Sequence, residues 1–216
     1  PKIGRNIALG VIAGLLIAML ISYLRAHLRH KVEDGFELSE ILGAPLLGSI
    51  PLNRHATGPC VVDLSRVGSP AGQAFRRLRT NIDGSNVLTG KRRIVVTSPT
   101  AEDGKTTIAV NLALTLAADG HRVVLVDAAL SRGSTGGDDT GGLVGYLHGR
   151  TREELAAYAQ PTRYDGLRVI YAGADVSDHT ELLGTDRLRA GLEDLTNWFD
   201  YVIIDTTSMH TNSDPV

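Results

Sequence analysis

The chain has 216 residues, 43% of them hydrophobic, which is enough apolar material for one substantial core and a small accessory segment. A formal net charge of −2 supplies no overall basic field, so no nucleic acid is expected as a partner. One cysteine, Cys60, excludes an intrachain disulfide framework and fits a reducing compartment, and the seven histidines adopt no metal-site spacing.

The first element is the run from Ile7 to Leu24, IALGVIAGLLIAMLISYL, which holds no charged residue. At the α-helical rise it covers about 27 Å, close to the hydrocarbon thickness of a bilayer. A secretory signal would be followed by a small-residue cleavage site, and a core helix is rarely apolar on every face, so a transmembrane helix is expected. Lys2 and Arg5 precede it, and Arg25, His27, Arg29, His30 and Lys31 follow. Positive charge on both sides sets the orientation only weakly, but nucleotide motifs downstream put the C-terminal side in the cytosol. Residues 1–31 are thus a single span with a basic flank, placed in the inner or plasma membrane with the bilayer as partner. Gly10 and Gly14 form a G-x-x-x-G, a spacing that lets two helices approach and is also common in lone spans.

Residues 32–60 form a juxtamembrane linker. Glu37 to Gly43 has the pattern of a short helix closed by glycine, Pro45-Leu46-Leu47-Gly48-Ser49-Ile50-Pro51 is an apolar segment bracketed by prolines, and Asn53 to Pro59 is turn-rich. A globular domain is expected over 61–216. Ser69 and Pro70 suit an N-cap and first turn, opening a helix to Asp83 with Phe75, Leu78 and Ile82 on one face. Arg76, Arg77 and Arg79 make its other face basic, either as a solvated surface or as a subunit contact.

The run Arg92-Arg93-Ile94-Val95-Val96 then enters the loop Thr97 to Gly104, which closes on Lys105-Thr106-Thr107 before a helix. A Gly-Lys-Thr at a helix start gathers free backbone N–H groups, an ammonium and a metal-ligating hydroxyl, which is what the phosphates of a nucleotide require. Ser98, Asp103, Gly104, Lys105, Thr106 and Thr107 are therefore the nucleotide-binding candidates. The general pattern has glycine where this chain has Pro99, and Glu102 puts a carboxylate in the cradle. The helix, with Ile108, Leu112, Ala113 and Leu116 facing a sheet, ends at Gly120, and a strand over 122–126 delivers Asp127. The whole is a βαβ unit. A carboxylate at the carboxyl end of such a strand lies where α/β folds bind ligands, so Asp127 is a candidate for metal or acid/base work, with turn capping as the alternative.

Residues 131–142 are rich in glycine and aspartate and fit a surface loop, with short helices over 143–148 and 152–159. A third strand covers 167–172. An amphipathic helix over 185–198 feeds Tyr201-Val202-Ile203-Ile204-Asp205, which has the Walker B form, its strand-end carboxylate holding the magnesium of a nucleotide. Lys105, Asp127 and Asp205 are the catalytic candidates, and Thr106, Asp127 and Asp205 the metal candidates. Four strands point to a doubly wound, mostly parallel sheet of the P-loop NTPase kind, cut at both ends.

Quoted together, these residues resemble the bacterial tyrosine autokinases fused to the membrane end of chain-length determinant (polysaccharide co-polymerase) proteins. The similarity runs along almost the whole chain. Pro45 to Pro51 matches the family's P-x-L-G-x-I-P, Ser69 to Asn81 its S-P-x-x-E-A-[FY]-R-x-L-R-T-N, and Thr97 to Thr107 its T-S-x-x-P-G-x-G-K-[ST]-T. Asn111-Leu112-Ala113, Val126-Asp127-Ala128, Glu181-Leu182-Leu183-Gly184 and Ile203-Ile204-Asp205-Thr206 match further boxes. Departures are Gln73 for a glutamate, Ala101-Glu102 for Pro-Gly, Ala129 for the second aspartate of the V-D-A-D box, and the loss of the prolines after Asp205. The tyrosine-rich tail is not in this sequence.

The resemblance implies ATP and Mg²⁺ as cofactors and transfer of the γ-phosphoryl to tyrosine, regulating capsule or exopolysaccharide assembly. It also implies ring-type homo-oligomers with Arg76 and Arg79 at the contact, and the polysaccharide assembly and export machinery as partner. In that reading Lys105 and the loop amides neutralise phosphate, Thr106 and Asp205 place the metal, and Asp127 orients or deprotonates a tyrosine hydroxyl. The alternatives are a degenerate nucleotide-binding regulator, motivated by Glu102 and Ala129, and a partition or septum-placement ATPase, which would carry a lysine at Thr100.

Overall fold

The computed structural model describes residues 2–28, 39–41, 43–51, 61, 69–84, 92–130, 141–149, 153–173 and 182–208. The turn-rich stretch 53–59, Cys60, the glycine- and aspartate-rich loop at 131–140 and the run 175–180 lie outside them. The chain divides into two units, Pro1–Leu46 and Leu47–Val216.

The first unit carries α1 (Ile3–Leu28), whose stretch Ile3–Leu24 is long and apolar enough to cross a membrane. It begins one turn before the expected Ile7, because Gly4, Arg5 and Asn6 continue the helix and Asn6 N donates to Lys2 O at 3.2 Å. Leu15, Leu16, Ile17 and Leu20 are all exposed, as a helix facing lipid requires. Residues 39–41 are helical.

The second unit is built on a five-stranded sheet. Its elements are α2 (Pro70–Gly84), β1 (Arg92–Val96), α3 (Lys105–Ala118), β2 (Val123–Asp127), α4 (Gly142–Leu147), a 3-10 turn (Leu155–Tyr158), β3 (Gln160–Pro161), β4 (Leu167–Ile170), α5 (Asp186–Trp198) and β5 (Tyr201–Asp205). The strand order is β1-β5-β2-β4-β3, with β3 antiparallel to β4 and every other pair parallel. The fold is therefore the mostly parallel α/β sheet the sequence points to, with one correction. Gln160 and Pro161 add a fifth, two-residue strand that no apolar run announces, since only backbone pairing with Arg168 and Val169 defines it. The segment expected as a helix over 152–159 is, in its described part, a single 3-10 turn, and Gly142 opens α4 instead of closing the loop before it.

Both faces of the sheet are covered. Val124, Val126, Ile170, Val202 and Ile204 pack under α4, the 3-10 turn and α5, while Val123, Leu125, Leu167, Tyr201 and Ile203 pack under α3 and α2. Strands buried on both faces read as continuous β-branched runs, which is why β2 and β5 are legible as VVLV and YVII. α3 lies between the sheet and α2, and its residues 111–117 are all buried. Such a helix must be apolar around its whole circumference. α2 is capped as its sequence suggests, Gly72 N donating to Ser69 Oγ at 3.4 Å. It is anchored at its far end by the Arg79–Asp119 ion pair at 2.6 Å, and by Asp83, which bonds both Arg92 and Tyr201. Asn81 Nδ2 also donates to Leu47 O at 2.7 Å, tying the start of this unit to α2.

Candidate phosphate-binding site

The carboxyl ends of β1, β5 and β2 lie side by side, with Val96 in register with Asp205 and Asp205 with Asp127. Beyond Val96 the chain turns through Thr97–Gly104 into α3. Gly104 is the N-cap, at φ +84°, with no side-chain cap and no atom within 4 Å of where a Cβ would stand. With no side chain capping the first turn of α3, the positive end of the helix dipole is available to an anion.

Around that opening the side chains are already linked. Thr106 Oγ1 donates to Asp205 Oδ2 at 2.7 Å. Lys105 Nζ donates to Ser98 Oγ at 3.0 Å and to Thr100 O at 3.1 Å, and Ser98 Oγ donates to Thr100 O at 2.7 Å. Asp103 Oδ2 accepts from Thr100 N at 3.0 Å and from Thr100 Oγ1 at 2.7 Å, and these bonds hold its pKa below the usual carboxylate value. Thr107 contributes its carbonyl, which accepts from Asn111 Nδ2 at 2.7 Å. The loop entrance and the end of β5 are clasped together by Thr206, whose N–H and Oγ1 both donate to Val96 O, at 3.2 and 3.0 Å.

Asp127 is partly buried. Burial pushes its pKa up, and backbone N–H groups of Ala129 and Ala172 oppose that rise. Two carboxylates, Asp127 and Asp205, on adjacent strands and a threonine hydroxyl form an all-oxygen donor set. Among the described residues there is no cluster of three or more His, Cys, Asp or Glu side chains. Mg²⁺ that travels with a nucleotide needs none, since it takes one or two carboxylates and completes its shell with phosphate oxygens and water. The residues present fit such an ion.

The sequence-predicted residues Ser98, Lys105, Thr106 and Asp205 are brought into direct or one-step contact, Asp103 closes the loop, and Asp127 stands beside Asp205. Glu102 is exposed and has φ +64°, a left-handed conformation that no other non-glycine residue shares among those described. It stands where the resemblance puts glycine, so the backbone keeps the glycine conformation with a side chain attached. The sequence reading missed Thr100, the hub of the loop's hydrogen bonds, and Thr206, the clasp. Both stood inside matched motifs, but nothing in the sequence assigned their hydrogen bonds. Arg76 and Arg79 lie on α2, away from the loop, and Arg79 is engaged with Asp119. A cleft of about 820 Å³ lined by Arg122, Tyr164, Gly166, Arg168 and Trp198 opens where β2 and β4 begin. It contains none of the loop residues, and volume alone does not mark the phosphate site.

Residues 94–200 match the family model described as the CobQ/CobB/MinD/ParA nucleotide binding domain. The tyrosine-protein kinase etk of Escherichia coli (strain K12) is 31% identical over 99% of this chain and 32% of its own length. The chain thus spans about a third of that curated relative. Among solved structures, the BceF tyrosine kinase domain is 30% identical, covers 82% of this chain, is itself covered over 77% of its length, and superposes with a TM-score of 0.67. The kinase domain of Escherichia coli tyrosine kinase ETK gives 29%, 83%, 76% and 0.69.

Proposed function

The chain belongs to the bacterial tyrosine kinases, and from that premise we propose that it binds MgATP at the Thr97–Thr107 loop and transfers the γ-phosphoryl group to tyrosine hydroxyls. One observation carries the reading: Thr106, at the start of α3, is hydrogen-bonded to Asp205, at the end of β5, with Lys105 beside it. Phosphate, metal and base chemistry thereby converge on one point at the carboxyl ends of parallel strands.

Lys105 exchanges Ser98 Oγ and Thr100 O for phosphate oxygens, and the open amides of α3 take further negative charge. Thr106 and Asp205 would hold the cation, with Asp127 on the adjacent strand. The ion, when bound, would supply neutralisation of phosphate charge. Asp127, held by the amides of Ala129 and Ala172, orients the incoming hydroxyl. Phosphoryl transfer is mostly positioning and charge neutralisation, so the methyl of Ala129 in place of a second carboxylate weakens the site without dismantling it. α1 anchors the protein in the membrane with this unit on the cytosolic side. Regulation of polysaccharide assembly and ring formation through α2 follow from the resemblance.

Glu102 and Ala129 favour one other reading, a nucleotide-binding regulator that transfers phosphate poorly or not at all. Incubation of the detergent-solubilised chain with MgATP and a tyrosine copolymer, followed by phosphotyrosine detection, separates the two. Phosphotyrosine that disappears in Lys105→Ala supports the kinase. Nucleotide binding without phosphotyrosine leaves the regulator, and unchanged nucleotide affinity in Lys105→Ala removes both.

A further inference from the structure

We propose that the cleft at the start of β2 and β4 is a docking site for a short basic and apolar segment of a partner protein, an arginine- or lysine-bearing peptide laid over Trp198. The inference goes beyond the kinase reading and does not depend on it.

At about 820 Å³ the cleft falls within the range of ligand pockets, about 300–1,000 Å³, and it lies wholly in the globular unit. Its floor is apolar. Ala156 and Phe199 line it and also pack against the core under α4 and α5, and Pro161, on the edge strand β3, extends that surface. Trp198, the last residue of α5 and the one tryptophan of the chain, forms part of the wall and is 57% exposed, so much of its indole stays open to a ligand.

Charge selects the occupant. Arg122 is spent on Asp200, its N and Nε donating to Oδ2 at 2.8 and 3.3 Å and its Nη2 to Oδ1 at 2.8 Å. Glu153, Glu154 and Asp165 also line the cleft and make no ion pair among the described residues, and Arg168 is the one cation among the remaining lining side chains. With the Arg122–Asp200 pair neutral, the walls therefore carry a net charge of −2. The last turn of α5 holds no basic residue, so the negative end of its dipole adds to the same field.

The aromatic rings point the same way. Arg92, Arg163 and Arg187 stand over the rings of Tyr201, Tyr164 and Tyr146, at 4.9, 4.9 and 4.7 Å. Trp198 has no such cation among the described residues, although indole is the strongest ring acceptor for one. A guanidinium or ammonium supplied from outside fits between the indole and the carboxylates, with its methylene stem and an aliphatic neighbour on the apolar floor. An anionic segment would meet walls of its own sign, and a purely apolar one would bury carboxylates without a partner. The phosphate loop lies at the other end of the strands. β2 has five residues, about 13 Å from first to last, so a segment in the cleft leaves the nucleotide site open.

The full chain in a non-ionic detergent is titrated with a capped hexapeptide alternating arginine and leucine, followed by the emission of Trp198 and, with a dye on the peptide, by anisotropy. The expected result is saturable binding that shifts the Trp198 emission and weakens as salt rises. Affinity is expected to fall about tenfold in the combined variant Glu153→Gln, Glu154→Gln, Asp165→Asn, and about two- to fivefold in Trp198→Leu, read by anisotropy. Far-UV circular dichroism checks that both variants are folded. A hexapeptide alternating glutamate and leucine should not bind, and spermine should bind far more weakly than the basic peptide. Equal binding of the two peptides, a silent Trp198 or unchanged affinity in the combined variant overturns the proposal. Spermine binding as tight as that of the peptide makes this a polyamine site and overturns the peptide as occupant. None of these readouts involves phosphoryl transfer, so the kinase reading stands or falls separately.

Discussion

Thr106 and Asp205, 99 residues apart in sequence, share a 2.7 Å hydrogen bond that joins the first turn of α3 to the last residue of β5. A hydrogen bond to a charged group contributes about 1.5–3 kcal/mol, and here it also holds two oxygens in position for one cation. Thr106→Ala is expected to raise the nucleotide Kd about tenfold in the presence of Mg²⁺ and far less in its absence, with Thr106→Ser close to the parent. Fluorescence titration with and without Mg²⁺ checks it, and an equal loss in both conditions would assign Thr106 to phosphate instead.

Glu102 occupies a left-handed backbone position at φ +64°. An L-residue there costs about 1 kcal/mol that glycine does not. Glu102→Gly is expected to raise the melting temperature of the globular unit by about 2–4 °C and to tighten nucleotide binding, since it also removes a negative charge from the loop. Glu102→Gln separates the two effects. It should gain the affinity and leave the melting temperature where it was.

Tyr201 is fully buried at the start of β5, where burial first and the neighbouring Asp83 second push its pKa up to about 12, against the opposing Arg92. In the unfolded chain the same phenol ionises near 10. The folded value is the higher one, so this contribution is complete below pH 10 and is lost as pH rises towards 12. The loss amounts to on the order of 2–3 kcal/mol over that window. Denaturant unfolding from pH 9 upwards should show the decline in the parent and a flatter profile in Tyr201→Phe. Parallel profiles would remove Tyr201 as its source.

Arg79 is paired with Asp119 at 2.6 Å, both side chains partly exposed. Exposed pairs contribute about 0.2–1 kcal/mol, so Arg79→Ala and Asp119→Ala should each destabilise the unit by less than about 1 kcal/mol, with a coupling of that size in the double variant. If α2 assembles rings, Arg79 must leave Asp119 to take part, and Asp119→Ala should strengthen assembly. Sedimentation velocity of the two variants tests this, with weaker assembly in Asp119→Ala counting against Arg79 as a contact.

What could be seen in the sequence and what could not follow from the kind of force involved. The strands VVLV and YVII, buried on both faces, and α3, buried on nearly all sides, are written as apolar runs because burial selects side chains directly. Gly104, Lys105, Thr106 and Asp205 were legible because phosphate and metal chemistry demand particular atoms at fixed spacing. β3 was not, since two residues paired through backbone alone leave no side-chain pattern. The roles of Thr100 and Thr206 were not legible for a related reason: they come from a carboxylate and a carbonyl that the fold delivers to them. The Arg79–Asp119 pair joins α2 to the end of α3, a contact that only the packing of those helices creates.

β5 is five residues long, and its two ends face different tasks. Tyr201 closes the floor with Asp83 and Arg92, while Asp205, about 13 Å further along, meets Thr106. A single strand therefore offers two independent handles. Substitutions at Tyr201 report on how firmly the scaffold holds, those at Asp205 on what the scaffold is for, and a variant library confined to these five positions can weigh one against the other without touching the rest of the protein.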